Sequence, residues 1–239
     1  MLYRLIPFVI VGAAFVQLPA PAQQLTPAQV RLGERAPLPR APLFFREEWK
    51  IAPGAGEHAA GPDAVWNTRL ELKLYGESSK DIQALGSLGD PNNPPHIWTG
   101  LCTTPCAVAL RNKTEDVDLT GSAKIRWVTK VSGLHQVHPI VKLADGTWLV
   151  GDHGDGSTID WLESEFPLSE VHWLKLDVNK VVTKGNWVEH PDLSKVEEVG
   201  FADLLPGSGH GPGGWSDVAW MEVYGKPVMR EAGATTSSK

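Results

Sequence analysis

Short apolar stretches, many of them alternating with polar positions, recur along most of this chain, and clusters of Gly, Pro, Asn and Asp separate them. A period of two places alternate side chains on opposite faces, which is the pattern of a strand with one buried face. It predicts ten strands, at 43–50, 68–75, 97–101, 106–111, 123–131, 137–144, 147–152, 172–178, 196–201 and 218–225. Residues 77–88 are the one stretch whose pattern suits a helix. The separators at 89–95 and 207–214 are dense in Gly and Pro. Many short strands joined by such turns indicate an all-β fold, an antiparallel β-sandwich of the jelly-roll kind with very little helix.

The sharpest local signal is Asp145-Gly146, set between VKLA and TWLV. Asp-Gly favours a two-residue type I′ turn, because both positions need positive φ. That turn pairs Leu143 with Trp148 and Val141 with Val150 on one apolar face. On the opposite face Lys142 meets Leu149, and at the far end His138 meets His153 as a cross-strand pair.

The two ends of the chain read differently. Arg4 followed by an uncharged apolar run to Val16, then Ala20-Pro21-Ala22, has the form of a cleaved secretory signal peptide at 1–22. A Pro/Ala-rich linker at 23–42 follows, then the sandwich at 43–230 and a small, polar, disordered tail at 231–239. A secreted or periplasmic protein is expected, with no membrane segment after cleavage, and a monomer.

Removing the leader removes Arg4, so Lys+Arg falls from 22 to 21 against 28 Asp+Glu and the net charge from −6 to −7. Nucleic acid and anionic membranes, which require a basic patch, are excluded as partners. In an exported chain the two cysteines of Cys-Thr-Thr-Pro-Cys, Cys102 and Cys106, are expected to form a disulfide. The 10 tryptophans exceed what core packing calls for, and an indole is a flat apolar platform of the kind on which sugar rings stack.

Three stretches carry a family resemblance: 117–127 (VDLTGSAKIRW), 193–201 (LSKVEEVGF) and 217–225 (DVAWMEVYG). Over 115–226 the chain resembles the galactose-binding-like jelly rolls, the fold of many carbohydrate-binding modules. The resemblance implies a sugar ligand and 217–225 as closing strand. It also implies a structural Ca²⁺ where first and last strands meet, on Glu47 or Glu48 and Asp217 or Glu222. Glu48 and Asp217 are the expected pair, and a salt bridge to Arg46 or Lys226 is the alternative use of these carboxylates.

Chemistry-bearing residues concentrate in two loops. Residues 151–160 gather Asp152, Asp155, Asp160 and His153 in a Gly-rich setting, suited to Ca²⁺ or to a solvated turn. The loop 207–215 adds His210 and Trp215, a donor and a stacking ring. The paired-carboxylate signatures of laminarinase-type sandwiches, the Gly-x-Ser-x-Gly elbow, the phosphate loop and the dinucleotide fingerprint are absent. The expectation is a secreted protein that recognises a poly- or oligosaccharide on a face lined by Arg126, Trp127, His138, Lys142, Asp152, His153, His210 and Trp215. The alternative is a glycoside hydrolase or polysaccharide lyase using carboxylate or His residues of the same face.

Overall fold

The structure is a computed structural model that describes residues 40–51, 56–209, 211 and 213–230. The expected leader, residues 23–39 of the linker, the tail and His210 lie outside the described residues. Among the described residues the strands are, in order, β1 (Leu43–Glu47), β2 (Leu70–Tyr75), β3 (Gln83–Leu85), β4 (His96–Trp98), β5 (Cys106–Asn112), β6 (Glu115–Asp118), β7 (Lys124–Val131) and β8 (Val137–Leu143). They continue with β9 (Trp148–Gly151), β10 (Leu162–Pro167), β11 (Trp173–Asp177), β12 (Val182–Val188), β13 (Val196–Asp203), β14 (Ser216–Tyr224) and β15 (Lys226–Met229).

Each of the ten predicted strands is present. The five that pattern reading passes over are short, edge-like or solvated: β12, for example, reads VTKGNWV and is exposed along most of its length, so no alternation marks it. Residues 77–88 form no α-helix; they hold a 3₁₀ turn, Ser79–Asp81, and then β3.

The strands make two antiparallel sheets packed as a jelly-roll sandwich. The six-stranded sheet runs β10-β7-β14-β4-β3, with β1 also on β14; the nine-stranded sheet runs β12-β11-β9-β8-β13-β5-β2, with β6 on β13 and β15 on β6. β7 shows why the sheet has an inside: Ile125, Trp127, Thr129 and Val131 are buried while Lys124, Arg126, Val128 and Lys130 are half-buried on the other face. Inner-face residues of both sheets, among them Phe45, Trp127, Met221, Val199 and Phe201, form the main core.

A second apolar cluster covers the outer face of the nine-stranded sheet. Tyr75 of β2 and Trp148 of β9 touch there, with ring centroids 4.8 Å apart. Three strands lie between them, so a flat sheet would separate them by about 19 Å; the sheet therefore curls strongly. Small residues on the central strands, Ala107, Ala109, Gly200 and Ala202, permit the curl. At Gly200 an added Cβ would lie 1.9 Å from the Val108 carbonyl oxygen. The hollow is filled by the protein's own side chains.

The β8–β9 hairpin corrects the expected register. Ile140 pairs with Val150, Val141 with Leu149 and Lys142 with Trp148. The loop has three residues, Ala144-Asp145-Gly146: Leu143 donates its N–H to the Thr147 carbonyl, Gly146 donates to the Leu143 carbonyl, and Gly146 takes φ +85°. A three-residue loop ending in a left-handed glycine competes with the two-residue turn for the same sequence. The slip by one residue moves Trp148 and Val150 to the outer face beside Ile140, whereas Val141 and Leu149 enter the inter-sheet core. Both faces are buried, so alternation could not arbitrate.

The expected disulfide is not formed. Cys102 and Cys106 are buried free thiols lying side by side. The hydrogen bond between them, and then burial, push the Cys106 thiol well above its ordinary range, which favours its protonated form.

Candidate functional site

The outer face of the six-stranded sheet carries a row of charged and aromatic side chains. β7, β14, β10 and β1 supply Arg126, Trp220, Glu222, Tyr224, Glu163, Glu165 and Arg46. Register puts Arg126 between Glu165 of β10 and Glu222 of β14, and Arg46 of β1 on the other side of Glu222. Glu222 therefore sits between two guanidiniums, accepting from Arg46 at 2.5 Å and from Arg126 at 3.0 Å, with the Tyr224 hydroxyl donating at 2.7 Å. Burial alone would raise this carboxyl, but the Tyr224 and Arg46 bonds and both cationic neighbours hold it below its ordinary value. Trp220 lies beneath the guanidiniums, 4.5 Å from Arg46 and 5.7 Å from Arg126.

Beside this row a trough opens. Two depressions, of about 370 and 330 Å³, meet at Glu48 and Trp66, which line both. Trp66 is 57% exposed. Trp220, Trp161 and a Pro-rich rim (Pro91, Pro94, Pro95) form the rest of its wall. Trp66 is held by Glu47, whose buried carboxylate accepts the backbone N–H groups of Trp49, Trp66 and Asn67 at 3.0, 2.5 and 3.0 Å. Burial nevertheless raises the Glu47 carboxyl above its ordinary value. Trp49 takes φ +53°, lines the trough, and its indole N–H is buried without an acceptor among the described residues.

Trp161 is fixed by its indole N–H to the Asn92 carbonyl at 3.1 Å and packs on the His96 ring with centroids 5.3 Å apart. Beneath it His96 Nε2 lies 3.6 Å from Asp217 Oδ1, too far for a hydrogen bond. The buried Oδ1 has no other partner among the described residues. His96 Nδ1 donates to the Pro94 carbonyl at 2.7 Å. Burial lowers His96 and raises Asp217 to about 7, the latter opposed by a hydrogen bond from Trp215 and by the Lys130 charge.

The structure scatters the residues expected to share one face. Arg126 is on this surface, Trp215 is beside the Asp217 that lies beneath it, and His210 is outside the described residues. Trp127 is fully buried in the inter-sheet core, donating to Asp155 Oδ2 at 2.7 Å, so it offers no ring to a ligand. His153 stacks on Phe166 with centroids 3.7 Å apart and reaches Asp155 at 3.3 Å. His138 stands on the other side of the nine-stranded sheet from that core, next to Ala202, with Nδ1 on the carbonyls of Gly151 and His153. The expected cross-strand imidazole pair is therefore not formed. Lys142 is on that same outer face, ion-paired to Glu197 at 2.9 Å and Glu198 at 3.3 Å. Asp152 holds His172, and Trp215 is half-buried beside Asp217. Arg126 therefore shares no face with His138 and Lys142.

The residues named for calcium have other partners. Glu48 is bonded by Arg46 Nε at 2.6 Å, the salt-bridge alternative, and Asp217 faces His96. Among the described residues no three His, Cys, Asp or Glu side chains group as a metal shell, so the arrangement does not fit a shared cation.

Sequence reading missed Trp66, Trp161 and Trp220. The signal available was their number: ten tryptophans, of which pattern alone could not say which stay exposed.

No protein-family model matches the chain. Among solved structures it is similar to the family 11 carbohydrate-binding module from Clostridium thermocellum in complex with a β-1,3-1,4-mixed-linked tetrasaccharide, at 14% identity and a TM-score of 0.41, covering 78% of this chain and 98% of that one. It is also similar to the module TmCBM61 in complex with β-1,4-galactotriose, at 11% identity and a TM-score of 0.36, covering 65% and 88%. A third similar structure is the glycoside hydrolase domain of Endo-D from Streptococcus pneumoniae R6, at 14% identity and a TM-score of 0.37; the match covers 68% of this chain and 24% of that one.

Proposed function

We propose that the chain is an exported saccharide-binding protein whose ligand lies along the trough on the outer face of the six-stranded sheet. The observation that carries this reading is the exposed Trp66 facing a trough also walled by Trp161 and Trp220, with Arg46, Glu48 and Glu222 close by. A pyranose has an apolar face of C–H groups and a rim of hydroxyls. Indoles take the face; ion-paired carboxylates and guanidiniums take the rim without a net charge on the ligand. Charge pairing also pre-orders these side chains, so little side-chain freedom is lost on binding. The hollow of the nine-stranded sheet is the less suitable place, because Tyr75 and Trp148 already fill it.

Affinity electrophoresis in gels containing mixed-linkage β-glucan, β-1,4-galactan or other neutral polysaccharides tests the reading. Wild-type protein is expected to be retarded by at least one polymer. Trp66→Ala is expected to weaken that binding about tenfold, the equivalent of roughly 1.4 kcal/mol, with an unchanged melting temperature. A protein that no polymer retards, or a Trp66→Ala variant retarded like wild type, overturns it. Release of reducing ends or unsaturated products in the same incubations would instead establish the hydrolase or lyase alternative.

A further inference from the structure

The trough is not the only place where an exposed indole meets a cavity. At the lateral edge of the sandwich, between β12 with the loop after it and the segment joining β10 to β11, lies a cleft of about 700 Å³ that shares no lining residue with the trough. This is within the usual range of small-molecule sites. Its floor is apolar: Leu168, Val171 and Trp173 are buried members of the main core that surface here because the two sheets part. Trp187, 59% exposed, forms one wall.

His172 stands edge-on to Trp187, with centroids 6.3 Å apart and planes at 86°. Its orientation is imposed. Asp152 Oδ1 accepts the His172 backbone N–H at 2.8 Å and Oδ2 accepts from Nδ1 at 2.9 Å. Since a carboxylate accepts, Nδ1 carries the hydrogen and the neutral ring leaves Nε2 as an acceptor. Glu189, His190 and Ser169 complete a polar rim around the apolar floor.

We infer that this cleft is a second saccharide-binding site, in which a pyranose ring packs on Trp187 and a hydroxyl donates to His172 Nε2, with Asp152 as the positioning residue. The inference rests on the reading of the chain as a saccharide binder, and it makes the domain bivalent. The amphipathic lining, one flat indole within a ring of neutral and acidic polar groups, matches the two-sided chemistry of a sugar. An extended peptide adding to the free edge of β12 is disfavoured. Lys184 stands on that edge, Gly185 takes φ +75°, and the register with β11 shifts between Leu174 and Leu176. Each of these features blunts strand addition. Two sites on one rigid unit would raise retention on a long polymer above that on an oligosaccharide, with no new contact.

The test uses the full chain labelled with ¹⁵N at the tryptophan indoles. The Trp187 resonance is assigned with Trp187→Phe. The probes are tetrasaccharides of glucose, galactose, mannose and xylose. In the Trp66→Ala background, at least one probe is expected to shift the Trp187 resonance. Asp152→Asn, which leaves the indole in place but weakens the hold on His172, is expected to reduce that affinity severalfold. His172→Gln, which retains a side-chain acceptor, is expected to reduce it less than His172→Ala. In the wild-type chain, its other indole resonances assigned by the corresponding Trp→Phe variants, shifts confined to Trp66, Trp161 and Trp220 overturn the second site while leaving the trough intact. A Trp187 shift with a silent trough in the wild-type chain supports the second site and sinks the first. Silence at every indole overturns both, and a Trp187 shift produced by an unstructured peptide but by no saccharide overturns the ligand class.

Discussion

Trp127 and Trp66 show how one residue type takes opposite roles. Trp127 sits where β7 faces inward, and its indole N–H is satisfied by Asp155, which also accepts from Thr129 and Ser164 at 3.1 and 2.6 Å. Trp66 follows a 3₁₀ turn and is pinned by its backbone, leaving its ring outside. Trp127→Phe is therefore expected to leave saccharide binding unchanged while lowering stability by about 1–3 kcal/mol, because the buried Asp155 carboxylate loses a donor. Chemical denaturation and affinity electrophoresis of the same variant check both halves. A variant of wild-type stability that fails to bind would return Trp127 to the ligand site.

At the level of elements, the β8–β9 hairpin and the β1 end decide what the site can be. Gly146 has φ +85°, and an added Cβ there would meet nothing within 4 Å. Any penalty is then conformational rather than steric. Gly146→Ala is expected to cost about 1–2 kcal/mol, and Gly146→Asn clearly less, since Asn tolerates the left-handed region. Urea midpoints of the two variants check this; equal midpoints would show that the loop relaxes out of the left-handed conformation at no cost. At the end of β1 the same economy of backbone bonding appears in Glu47, whose single carboxylate ties three N–H groups of two segments and so sets the trough's edge.

Across the whole molecule the buried acid under the trough ties stability to pH. Asp217 is raised to about 7 against an ordinary value of 3.8, chiefly by burial. The folded state thus binds this proton more tightly than the unfolded chain. Its contribution to stability is complete below the unfolded value and is lost as pH rises through about 7. Asp217→Asn removes the titration. It is expected to melt higher than wild type at about pH 8 and to narrow that difference towards about pH 4. Thermal melts across this range check it, and a variant whose melting temperature tracks wild type at every pH would show that Asp217 does not titrate in this window. His96, lowered by burial, opposes this trend on the acid side.

The sequence by itself determined the fold class and the course of the chain through the core. Period-two alternation is a local property, and in strands such as β7 and β8 it is imposed by which side chains must leave water. It could not mark β12 or β10, whose polar, exposed strands owe their extension to a neighbour's backbone hydrogen bonds rather than to burial of their own. Nor could it assemble a site. Arg46, Glu222, Trp66 and Trp161 lie far apart in the chain and meet only because β1 pairs with β14 and the loops from the sheet's edges fold onto one face. His138 and His153 remain neighbours, His138 Nδ1 on the His153 carbonyl, but the one-residue slip of the turn and the change of offset at the Val137–Asp155 bridge leave the His153 ring on Phe166 rather than beside the His138 imidazole. The curl of the larger sheet buries Trp148, whereas Glu47 holds Trp66 at the trough and Trp187 stands at the cleft beside β12. These are consequences of how residues distant in sequence pack, and no local pattern encodes them.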